Sequence, residues 1–82
     1  MSDTTSLLIS AVEAANVDDV ERLMLMGGDI HQNVGQWTPY KYASFLETVY
    51  AKKSSKGNNS HYKILSRKYK DMLATMERFK GN

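Results

Sequence analysis

The sequence contains no cysteine. That absence removes disulfides, thiolate metal sites and cysteine nucleophiles together, and it fits a reducing compartment. Long apolar runs are missing as well. The longest stretches, Leu7–Leu8–Ile9 and Leu23–Met26, fall far short of the roughly 20 residues a helical membrane span requires. The first residues hold Asp3 and no basic residue before Leu7, unlike a secretory leader. A cytoplasmic protein with no membrane partner is the expectation.

Catalytic constellations are equally scarce. No Gly-rich phosphate loop follows a strand, and no Ser/His/Asp or paired-carboxylate arrangement is recognisable. Asp18, Asp19 and Glu21 crowd one short stretch, but side chains at i and i+1 of a helix point apart. The two histidines, His31 and His61, stand at neither metal-ligand nor triad spacing from any other candidate. The chain therefore reads as a non-enzyme with no metal or cofactor.

What remains is an 82-residue chain with 41% hydrophobic and 24% charged residues, an ordinary globular composition. It is one domain, 1–82, small enough to bury only about 60–65% of the surface its unfolded chain exposes. Some apolar surface is then expected to be shared with a partner or a second copy. The formal charge of +2 hides a polarity along the chain. Residues 1–37 carry six acidic residues against Arg22 alone, a net of −5, and residues 38–82 carry ten Lys and Arg against Glu47, Asp71 and Glu77, a net of +7.

Helical spacing runs through most of the chain. Ser6, or a threonine just before it, caps a first helix bearing Leu7, Leu8, Ala11, Val12 and Ala15. Asn16 breaks it. Asp18 and Asp19 suit the positive start of a second helix, which carries Val20, Leu23 and Met24 and stops at Gly27–Gly28. A loop composition from Asp29 to Trp37 ends at Thr38–Pro39, a cap followed by a first-turn proline. Tyr42, Phe45, Leu46 and Val49 are expected to form the apolar face of this third helix. Residues 52–59, KKSSKGNN, hold no apolar side chain and read as a solvated linker. Ser60 then caps a long, basic amphipathic helix over 60–80. Its Tyr62, Leu65, Tyr69, Met72, Met76 and Phe79 are spaced as an a/d seam, open to internal packing or to homodimerisation. The fold class is all-α.

The first hairpin and its loop resemble the ankyrin repeat. That family's pattern of roughly 33 residues runs Thr-Pro-Leu-His-x-Ala-Ala, a helix break, a second helix, then Gly-Ala-Asp, a hydrophobic residue and Asn. Laid from Ser6, this chain places Leu8 at the leucine, Ala11–Val12 at the alanine pair, Asn16 near the break, and Gly27–Gly28–Asp29–Ile30–His31 at the closing segment. Thr38–Pro39–Tyr40–Lys41–Tyr42–Ala43–Ser44 resembles the next repeat's start, with Lys41 in place of histidine and Gln36 in place of glycine. The resemblance covers residues 6–45: one repeat over 6–31 and the opening of a second, partial one over 32–51. It implies an ankyrin-like helical hairpin, continued by the third helix and capped by the last.

The resemblance also implies protein binding through loop tips and the first helix of each repeat. Those positions are Gln32, Asn33, Gln36, Trp37, Tyr40 and Lys41. Tryptophan is enriched at interface hot spots, although Trp37 is equally placed to fold back over a small core. A second candidate set is basic: Lys52, Lys53, Lys56, Lys63, Arg67, Lys68 and Lys70. With Tyr62 and Tyr69 alongside, it suits phosphates and stacked bases, an acidic protein surface, or a solvated helix face. The function expected is a stoichiometric inhibitor or adaptor that occupies a partner protein, including a small phage or viral protein that blocks a host factor. Nucleic-acid binding and a homodimer through 62–79 are the alternatives.

Overall fold

The computed structural model describes residues 3–56 and 60–80. Four helices account for nearly all of them: α1 (Asp3–Glu13), α2 (Val17–Leu25), α3 (Pro39–Ser55) and α4 (Ser60–Lys80). Two helical hairpins result, α1 with α2 and α3 with α4, and they stack so that α1 also lies on α3 and α2 on α4.

Each end of the first hairpin is fixed by local chemistry. The α1 C-terminus closes in a Schellman pattern, with Ala15 N–H donating to Val12 O and Asn16 N–H to Ala11 O, both at 3.0 Å. Ala15 takes the left-handed position at φ 57°, which a glycine would hold with less strain. Asn16 then caps α2 by accepting from Asp19 N–H at 3.2 Å, and Asp18 and Asp19 face the positive helix end. The same closing pattern ends α2. Gly27 holds φ 101°, its N–H donating to Met24 O, while Gly28 N–H donates to Leu23 O at 2.9 Å.

The core lies where the hairpins meet. Leu8, Ala11, Val12 and Ala15 of α1, Val20 and Leu23 of α2, Ile30 of the loop, Ala43 of α3, and Tyr69, Met72 and Met76 of α4 are all buried. Alanines at three of these positions allow the backbones to approach closely. Of the α4 seam, Tyr69, Met72 and Met76 are buried inside the chain, and Leu65 packs against the same cluster.

Three boundaries or faces differ from the sequence expectation. The first helix begins by Asp3 rather than at Ser6. Thr5 is buried, and instead of capping its own helix its hydroxyl accepts from Asp29 N–H at 3.3 Å and donates to Gln32 Oε1 at 3.2 Å. The face of α3 is met in part, since Tyr42 and Leu46 pack against the core as expected and Phe45 is exposed. Pro39 and Ala43 are buried with Leu46 and Tyr50 packed against the core, whereas Phe45 is 48% exposed. Finally, α3 runs through Ser55 and turns at Lys56, well into the expected linker. Lys52 and Lys53 suit the negative end of the helix, and the Ser54 and Ser55 hydroxyls donate to Ala51 O and Lys52 O. The remaining linker positions, 57–59, lie outside the described residues.

Candidate interaction surface

The loop between α2 and α3 is built from short-range bonds that hold Trp37 in place. Asp29 Oδ1 accepts from His31 N–H at 2.8 Å, turning the chain. Val34 and Trp37 form a bridge, Val34 N–H donating to Trp37 O at 2.7 Å and Trp37 N–H to Val34 O at 3.3 Å. Gly35 supplies the positive φ, 67°, that a two-residue turn of this kind demands. Thr38 then caps α3 by accepting from Lys41 N–H at 3.0 Å, with Pro39 at the first turn. Tyr40 N–H donates to Ile30 O and staples the loop to the helix.

Held this way, the Trp37 ring lies against two side chains of α3, with centroids 5.4 Å from Tyr42 and 5.1 Å from Phe45. Trp37 and Tyr42 are half-buried, and Phe45 presents about half its surface to solvent. The three rings form an aromatic patch at the edge of the core, against which Tyr42 packs. Burial lifts the Tyr42 hydroxyl above its ordinary range, with Glu13 and Tyr50 adding to it, so Tyr42 stays neutral at physiological pH.

The six loop-and-helix candidates divide. Asn33, Gln36 and Lys41 are exposed. Gln32 is exposed but accepts from Thr5, which ties it to α1. Tyr40 turns the other way: its hydroxyl donates to Glu77 of α4 and its ring lies 5.7 Å from His31. That bond to a carboxylate raises the Tyr40 pKa, with desolvation and the charge of Glu77 adding to it. Tyr40 therefore joins elements, while Trp37 belongs with Tyr42 and Phe45. Phe45 was missed as a surface residue because it was assigned to the buried face, whereas Tyr42 does pack against the core. A signal was present. The row Pro39, Ala43, Leu46, Tyr50 has equally good helical spacing, shares Leu46 with the expected face and leaves Phe45 off its centre.

The basic residues surround the far end of the second hairpin, all of them exposed. Lys63, Arg67 and Lys70 edge a shallow cleft with Ser54 and Ser66, whereas Lys68 faces the α1–α2 turn beside Asp18. Lys53 Nζ sits 5.3 Å from the Tyr62 ring centroid and 6.0 Å from that of Tyr50. The tyrosines are engaged with one another. Tyr50 stacks on Tyr62 at 5.7 Å and on Tyr69 at 5.8 Å. Tyr69 is buried, and its hydroxyl donates to Val12 O at 2.7 Å.

Among the described residues, no group of His, Asp and Glu is placed to hold a metal ion, and no helix is long and apolar enough to cross a membrane. Comparison with family models, curated proteins and solved structures yields no match.

Proposed function

We propose that this chain is a non-catalytic, ankyrin-like protein-binding module that occupies a partner's surface stoichiometrically, as an inhibitor or adaptor. The observation that carries the reading is the Trp37–Tyr42–Phe45 patch, a preformed aromatic surface with Phe45 held open to solvent. Aromatic residues clustered on a rigid support are what interface hot spots are made of, because ordering them on binding costs little. The ankyrin-like part of the reading draws on the stacking of first helix on first helix and second on second. It draws also on the Gly27–Gly28 stop, the bridged loop and the Thr38–Pro39 start. The lengthened α3 and α4 are this chain's own.

Pull-down from a lysate of the source cells, with wild type beside the Phe45→Ala, Lys41→Glu double variant, tests the proposal. Loss of a stoichiometric partner in the variant is the expected result, and full retention would remove this surface from consideration.

Nucleic-acid binding is the second reading, and the exposed Lys63, Arg67 and Lys70 beside Ser54 and Ser66 favour it. Because Tyr50, Tyr62 and Tyr69 cover one another's rings, such binding would rest on phosphate contacts and weaken steeply with salt. Absence of any gel shift at low salt would eliminate it.

A further inference from the structure

We infer that the partner segment taken by this surface is acidic as well as apolar, lying along the outward face of α3 with bulky apolar residues on the aromatic patch and carboxylates over Lys52 and Lys56. This rests on the reading of the Trp37–Tyr42–Phe45 patch given above and adds the chemistry of what binds there.

The argument begins with the register of α3. Lys41, Phe45, Thr48, Lys52 and Lys56 follow one another at three- or four-residue steps, and all are exposed. They form one continuous stripe. From Lys41 to Lys56 a helix rises about 22 Å, enough to support some four turns of a helical segment or a shorter extended one.

The stripe has two ends of different character. At its start, Phe45 stands open with Trp37 against its ring and Tyr42 against that of Trp37. At its finish, Lys52 and Lys56 extend into solvent, and Lys53 is drawn aside over Tyr50 and Tyr62. Carboxylates are nearly absent. Glu47 is the only acidic residue between Asp29 and Asp71, and two positions beyond Phe45 it points roughly 200° around the helix. On α3 itself the cations of the stripe therefore share their face with no carboxylate, the acidic charge near the patch being Glu13 of α1 beside Tyr42. A wholly apolar ligand would leave Lys52 and Lys56 partnerless, and a polyanion would leave Phe45 and Trp37 against phosphate. A segment with apolar residues at one end and acidic residues at the other satisfies both. Charges at the edge of such an interface steer the encounter and set the register.

The test is a selection from a random displayed-peptide library, of about 15 residues to match the stripe, against the full chain. Emission of Trp37, the only tryptophan, reports contact at the patch. The inference predicts enriched peptides that combine aromatic or branched apolar residues with a net negative charge and that shift Trp37 emission saturably. Lys52→Glu with Lys56→Glu should weaken them about ten-fold. Lys63→Glu with Arg67→Glu makes the same charge change on α4 and should alter affinity by no more than about two-fold. Far-UV circular dichroism confirms that both variants fold. Apolar peptides with no acidic bias that still shift Trp37 emission would overturn the acidic-partner inference and leave the patch standing. Peptides that leave Trp37 emission unmoved would remove the patch as well. Equal weakening by the two charge variants would show a diffuse charge effect, and duplex DNA binding more tightly than every selected peptide would assign the lysines to nucleic acid. Either result overturns the inference.

Discussion

Tyr69 carries a contact whose worth can be measured by pH. Its hydroxyl donates to Val12 O, which also accepts from Ala15 N–H in the closing turn of α1, from inside the core at 1% exposure. Burial, first, and the neighbouring Tyr50, Tyr42 and Glu13 push its pKa from the ordinary 10 up to about 12. The folded state thus favours the protonated phenol. Its contribution is complete below about pH 10 and is lost as pH rises toward 12. Urea midpoints for wild type should fall through this alkaline window. In Tyr69→Phe the fall should be shallower, because Tyr40 and Tyr42, also raised, remain. At neutral pH the variant should lose about 0.5–1.5 kcal/mol, the net worth of one hydrogen bond, since Val12 O keeps Ala15 N–H. Gly28 offers a second residue-scale test. A Cβ there would stand 2.7 Å from Leu8 Cδ1 and 3.0 Å from Leu23 O, and Leu8 is fully buried. Gly28→Ala is expected to destabilise by about 1–3 kcal/mol in chemical denaturation.

At the scale of the element, three helix boundaries were readable from the sequence, while the start of α1 and the end of α3 were not. Asn16, Gly27–Gly28 and Thr38–Pro39 each solve a local hydrogen-bonding problem that depends on few neighbours, so residue type alone marks them. The α4 seam was readable for a related reason, since six apolar side chains at alternating steps of three and four can share only one face. Helix α3 was not. Its apolar residues spread over a wide arc, and where that arc centres depends on what packs against it, which no local pattern contains. Small Ala43, rather than Phe45, faces the core because α1 lies close. The fate of Lys52–Ser55 was hidden likewise, since a polar run stays helical when Tyr50 and Lys53 find Tyr62 across the hairpin. Paired truncations check the outward position of Phe45. Met72→Ala, at a fully buried site, should cost about 2–5 kcal/mol, while Phe45→Ala should cost under about 1 kcal/mol if its ring stands outside the core. Urea unfolding followed by circular dichroism measures both.

On the scale of the whole molecule, the two hairpins depend on each other. The buried side chains of α1 and α2 complete their contacts only against Tyr69, Met72, Met76 and Ala43, as stacked repeats do when no unit can bury its own flank. A peptide of residues 1–37 should therefore show no cooperative thermal transition, whereas the full chain should. The stack also separates charge, acidic in the first hairpin and basic in the second, with the aromatic patch at the start of α3 between them. The candidate site was half legible. Trp37 and Lys41 could be singled out from a polar loop and a repeat-like start, but the company of Phe45 appears only once α3 is seen to turn that ring outward.

The central claim is that this aromatic patch is where a partner protein binds. Isothermal titration of the purified partner into wild type and into Phe45→Ala, both shown by urea unfolding to be folded, tests it most directly. A loss of about 2 kcal/mol, or some thirty-fold in Kd, is the result expected of a hot-spot aromatic; an unchanged Kd would contradict the claim.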